Sequence, residues 1–128
     1  MMQIGDLLWV HKPCGSIYKI FDVKIYWIPN DRNSGRTNLS EEPKDLENYW
    51  VSRIYHYRLY SNGSGKIING SEPIHCGERH TVPFDKQKLL AFHQGKINKL
   101  KALPERNEKQ RKELEKLLIH YDTAVKNL

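Results

Sequence analysis

The sequence predicts an α+β fold, an antiparallel β-sheet in the N-terminal two thirds followed by two C-terminal α-helices, and three observations carry that prediction. Apolar and aromatic residues alternate at period two through residues 17–27 and 50–60. Between the second run and the next apolar residues lies Ser61-Asn62-Gly63-Ser64-Gly65, which supplies the positive-φ positions of a hairpin. From Asp85 onward the apolar spacing lengthens to three and four, the period of helices packed on one face. With 128 residues the chain has room for one core, so residues 1–128 are read as one domain with a β-rich part (1–83) and a helical part (84–128).

The elements follow in order. Leu7-Leu8-Trp9-Val10, between the turn residues Gly5-Asp6 and the breakers Pro13 and Gly15, reads as a short buried strand. In residues 17–27, Ile17, Phe21, Val23, Ile25 and Trp27 are expected on one face, and Tyr18, Ile20, Asp22, Lys24 and Tyr26 on a partly polar one. The pattern then dissolves through Pro29, Asn30, Asp31 and Gly35. Residues 28–49 are expected to form a mobile, ligand-contacting loop in which Ser40-Glu41-Glu42-Pro43 can open one helical turn. Residues 50–60 make the second long strand, returning through the hairpin into Lys66-Ile67-Ile68, and a last short strand is expected over 79–82. Asp85 is positioned to cap a first helix with the stripe Leu89, Leu90, His93, Ile97, Leu100 and Leu103, which Pro104 stops. Asn107 and Gln110 form a capping-box pattern ahead of a second stripe, Leu114, Leu117, Leu118, Tyr121, Val125 and Leu128. Helices joined this closely fold back as a hairpin or cross between subunits.

Composition narrows the class. Thirteen aromatics (three Trp, seven Tyr, three Phe) and 38% hydrophobic residues suit a globular core rather than a disordered tail. No run approaches the roughly 20 apolar residues of a membrane span, and residues 1–6 lack the basic and apolar regions of a signal peptide, so a cytoplasmic protein without membrane partners is expected. The triplets at Asn38, Asn62 and Asn69 are then read as turn and cap residues rather than glycosylation sites. Cys14 and Cys76 are expected to stay reduced in that compartment. The net charge is +6, and residues 84–128 hold 11 Lys and Arg against 6 Asp and Glu, so the helical part carries most of it. Such asymmetry suits an anion-facing surface, and it also suits a plain solvated helix face.

Three kinds of chemistry are open to these residues. His11-Lys12-Pro13-Cys14-Gly15 has the spacing of half a zinc knuckle, and Cys76 with His80 offers a second pair; a turn beside two buried thiols is the structural alternative, and no metal ligand is assigned. No nucleophile elbow, zinc-protease helix or phosphate-binding glycine loop is present, so no catalytic residue and no cofactor is expected. Arginines that hold phosphate bidentately, interleaved with Trp and Tyr faces that stack on bases, fit better: Arg53 and Arg58 lie in the aromatic strand, and Arg106 and Arg111 on or near the second helix. That constellation suits a small nucleotide in a closed pocket or a polynucleotide along a groove.

In layout the chain resembles the phage-encoded Thoeris anti-defence nucleotide sponges, which have a similar size, a β-rich N-terminal part and two C-terminal helices. The resemblance implies non-catalytic sequestration of a small cyclic nucleotide signal, a homo-oligomer and a site in the host cytoplasm. It maps the family's base-stacking aromatic onto Phe84 in Val82-Pro83-Phe84-Asp85, its strand arginine onto Arg58, its first-helix amide onto Gln94 and its last-helix arginine onto Arg111. The alternative is a basic DNA- or RNA-binding accessory protein.

Overall fold

The computed structural model describes residues 2–128. Five antiparallel strands, β1 (Leu7–Val10), β2 (Ile17–Pro29), β3 (Tyr49–Ser61), β4 (Ile74–Gly77) and β5 (Thr81–Pro83), form one sheet in the order β4-β3-β2-β1-β5. Two helices follow, α1 (Lys86–Lys101) and α2 (Glu108–Asn127), so the α+β architecture is as the sequence predicts.

The sheet is rolled, and chain geometry requires it. Its two edge strands, β4 and β5, are joined only by the single 3-10 turn Glu78–His80. The four virtual bonds from Gly77 to Thr81 reach at most about 15 Å, whereas the edges of a flat five-stranded sheet stand about 19 Å apart. The concave face therefore closes on its own side chains: Leu8 of β1, Ile20 of β2 and Tyr55 and Tyr57 of β3 form one buried cluster. Just past β1, the His11 N–H donates to the His80 carbonyl at 2.8 Å, tying the end of β1 to the turn that joins the edges. Burial pushes the Tyr57 phenol up to about 12, with Cys76 and Tyr18 beside it adding to the shift.

The convex face carries a second cluster, Trp9, Ile17, Leu89 and Ala124, which docks both helices against β1 and the start of β2. The α1 stripe is buried as expected at Leu89, His93 and Ile97. On α2 the buried stripe is rotated from the expected one: Leu117 and Ala124 are buried, while Leu118 and Val125 are 40% and 42% exposed. The turn after β3 explains the rotation. Gly65 has φ +82°, and a Cβ there would stand 2.7 Å from the Ala124 backbone, so helix and turn touch where only small residues fit. Both caps form as predicted: the Asp85 carboxylate accepts from Gln87 and Lys88 N–H, and Asn107 and Gln110 exchange the two bonds of a capping box.

Five expectations need correction. The two faces of β2 are not as the alternation predicts, because register shifts between Ile17 and Tyr18 and between Ile20 and Asp22 send Phe21 outward and Ile20 inward. The return at residues 66–68 is not a strand. It makes only an isolated bridge between Ser61 and Ile67 and bonds from Ile68, Asn69 and Gly70 N–H to the Tyr60 and Leu59 carbonyls, and β4 pairs with β3 instead. The last strand starts at Thr81, after the 3-10 turn. The segment between β2 and β3 is anchored rather than mobile. Leu39 and Trp27 exchange two main-chain bonds of 2.8 and 2.9 Å, Asn30 donates to the Asn48 and Glu47 carbonyls, and Arg36 pairs with Asp45 at 2.8 Å. Its one helical turn lies at Leu46–Asn48, not at 40–43.

Candidate functional site

Because β3 alternates, the residues that leave its inner side for the core leave another row facing out. Tyr55 and Tyr57 are buried inside the roll, which puts Trp50, Ser52, Ile54, His56, Arg58 and Tyr60 on the convex face. The pairing register sets Lys19 opposite Arg58, Asp22 opposite His56 and Lys24 opposite Ile54 on β2, and His75 opposite His56 on β4. The result is a track about 33 Å long, at roughly 3.3 Å per residue, running out from the helix contact at Tyr60 to Trp50.

Like charges directly opposite on neighbouring strands repel. Lys19 and Arg58 nevertheless face each other, and the ion pairs among the described residues, Arg36–Asp45 and Lys112–Glu108, leave both without a carboxylate partner. Aromatic faces hold them instead: the Arg58 guanidinium lies 4.0 Å from the Phe21 ring centre, and the Lys19 ammonium 5.5 Å from that of Tyr60. Arg58 Nε is fixed by the Ser71 carbonyl at 3.1 Å. The β2 bulge thus has a use: it turns Phe21 out to form the shelf on which Arg58 stacks. The two cations border a cleft of about 390 Å³ whose walls include Ile4, Phe21, Leu59 and Tyr60 and the polar Asn69. Beyond Phe21 the track continues through His56, 6.3 Å from Phe21, to His75, 5.6 Å from His56 between ring centres.

The four residues predicted for a site separate into two groups. Phe84 stands at the junction of sheet and helices as expected, but its ring is committed to the core, edge-on to Trp9 at 5.1 Å. The shallow hollow it borders meets the Arg58 cleft at Gly5, which lines both. Gln94 and Arg111 lie elsewhere. Gln94 donates to Asn98 Oδ1 at 2.8 Å on its own helix, and Arg111 donates to the Arg106 carbonyl at 3.1 Å near the tip of the helical hairpin. The run of α2 from Arg111 to Ala124 spans about 20 Å at 1.5 Å per residue, so the fold-back that docks Ala124 carries Arg111 away from the sheet.

The two half-knuckles meet only through their histidines. The His11 and His80 rings lie 4.7 Å apart, tilted by 48°, whereas Cys14 points its Sγ at the Lys88 carbonyl and Cys76 packs on the inner cluster. Burial pushes the Cys14 thiol up, against the opposing pull of Lys88 and Lys96. Among the described residues no three His, Cys, Asp or Glu side chains converge as a metal cluster.

Lys19 and Phe21 escaped the sequence reading because a register and a bulge brought them to Arg58; two neighbouring cations in register leave no trace along a single strand. Comparison with protein-family models, with curated proteins and with solved structures yields no match to this chain.

Proposed function

We propose that this protein binds single-stranded nucleic acid, without turning it over, along the convex face of its sheet. The observation that carries the reading is the unneutralised Lys19–Arg58 pair, held on aromatic faces and continued by His56, His75 and Trp50 in one row. Phosphates take the place of the missing carboxylates, and exposed rings, Trp50 at 50% exposure above all, give bases a surface to stack on. A row this long suits several nucleotides, and aromatic faces that stack on any base suit sequence-tolerant binding.

The test is anisotropy of a labelled single strand across a salt series. Log affinity falls linearly with log salt, and Arg58→Gln reduces the slope by about 0.7, the increment for one phosphate contact on a single strand. Binding that ignores salt, or an Arg58→Gln protein with unchanged slope, refutes it.

A second reading, sequestration of a small cyclic nucleotide, draws support from the Lys19–Arg58 cleft, whose volume of about 390 Å³ lies in the range of small-ligand pockets. In that reading Arg111 closes the site from a second copy of the chain. Native mass spectrometry decides between the two: a cyclic nucleotide retained intact by a dimer favours sequestration, and a monomer that retains only oligonucleotides excludes it.

A further inference from the structure

A second cavity, of about 600 Å³, exceeds the Arg58 cleft in volume. It opens where β3 outruns β4, against the Glu78–His80 turn, and it gathers Arg32 from the anchored segment, Arg53 from β3 and Arg79 from the turn. Glu78 is the one carboxylate in its lining, and none of the three arginines takes part in an ion pair among the described residues. Arg53 Nε is buried and has no hydrogen-bond partner. Arg79 Nε donates to the His80 ring at 3.0 Å, an acceptor that brings no negative charge to offset the guanidinium. A buried guanidinium N–H without an acceptor, beside two further guanidinium groups outside any ion pair, gives the cavity the donors and the charge to hold an anion.

We propose that this cavity is a phosphate-monoester site, taking the terminal phosphate of the strand that runs along the convex face. Two features single out a terminal phosphate. A monoester carries a charge of about −1.5 to −2 near neutrality, more than the single charge of an internal diester, and three guanidinium groups against one carboxylate match the larger charge. Trp50 belongs both to the outer end of the convex row and to the rim of this cavity, and β3 has a free edge there because β4 pairs only from Ile54 onward, so a strand stacked on Trp50 and turned over that edge ends at the arginines. The strand half of this inference rests on the function proposed above, whereas the phosphate half stands on the cavity alone.

The experiment compares one oligonucleotide carrying a 5′ phosphate, a 3′ phosphate or neither, together with titration by inorganic phosphate alone. The wild-type protein binds one phosphorylated end about tenfold more tightly than the unmodified strand, a modest return for two charge-assisted hydrogen bonds. Arg32→Gln combined with Arg79→Gln, both exposed positions, removes that preference and leaves the affinity for the unmodified strand within about twofold; Arg53→Gln does the same if its unfolding midpoint is preserved. Arg58→Gln weakens all three strands alike. Equal affinity for all three strands overturns the phosphate site while leaving the convex-face reading intact. Binding of inorganic phosphate that the double variant abolishes, with no strand bound, upholds the cavity and overturns the convex-face reading. Strand preference that survives the double variant overturns the site.

Discussion

At the scale of single residues, the positions that matter most are those where two elements touch without room to adjust. Gly65 combines a left-handed φ of +82° with a helix backbone 2.7 Å from where its Cβ would lie. Gly65→Ala is therefore expected to destabilise the protein by about 2 kcal/mol or more, through strain and displacement of α2 together, measured as a lower urea midpoint. His93 lies in the same interface, buried, with both ring nitrogens unpartnered. Burial lowers its pKa from 6.5, His120 and Lys96 push the same way, and the Gly63 main chain opposes them. His120 is also lowered, by burial first and then by Lys116, with Glu113 opposing. The folded protein thus binds fewer protons than the unfolded chain below about pH 6.5, so stability is lost as pH falls through that window. His93→Leu flattens the dependence; an unfolding midpoint that falls as steeply in the variant between about pH 7 and 5 sets this explanation aside. Tyr57 works at the other limit. With its pKa raised from 10 to about 12, the folded state holds a proton the unfolded state releases, and stability declines above about pH 10. An ultraviolet titration in which all tyrosines ionise together near pH 10 in the folded protein contradicts this.

At the scale of elements, local signals were reliable where the physics is local. The capping box at Asn107 needs only residues four apart or fewer, and it forms. Asn107→Ala should cost about 1 kcal/mol and loosen the first turn of α2, detectable as faster amide exchange there with little change at the α2 C-terminus. The turn at residues 62–65 also forms, closed by the Gly65 N–H on the Asn62 carbonyl at 3.2 Å with the left-handed residue at Gly65, but the chain leaving it makes only an isolated bridge to β3 rather than the expected hairpin strand. What local pattern missed was the bulge at Phe21, which depends on which strand pairs with which and in what register. The segment between β2 and β3 deceived for a related reason. Its Asn, Ser and Gly content signals irregular backbone, and the backbone is irregular, but Leu39 bonding to the free edge at Trp27 and Arg36 pairing with Asp45 anchor it through contacts distant in sequence.

At the scale of the whole molecule, the rolled sheet gives the chain two separate interiors and one long outer face. Deleting Leu89, which fills the convex cluster, is expected to cost about 2–5 kcal/mol as Leu89→Ala, and the helices should undock with it. Binding belongs to the same scale, because the convex row exists only when β2, β3 and β4 are in register. The candidate site was legible in part: Arg58 and the aromatic row of β3 follow from alternation alone, whereas Lys19, Phe21 and the Arg32–Arg53–Arg79 cavity do not. No helix among the described residues is long and apolar enough to cross a membrane.

The sequence by itself determined the α+β class, the two long strands, the two helices and their caps, and the alternating row from Trp50 to Tyr60, since each depends on residues within a few positions of one another, whereas β4 and the outward direction of that row came from the pairing. Only the tertiary structure decided which strands became edges, that a three-residue turn forced those edges together, and that α2 rotated to set Ala124 against Gly65. It also decided the grouping of the cations. Arginines at positions 32, 53 and 79 share a cavity because strand register and sheet curvature bring them there, and neither quantity is written in any short stretch of the chain.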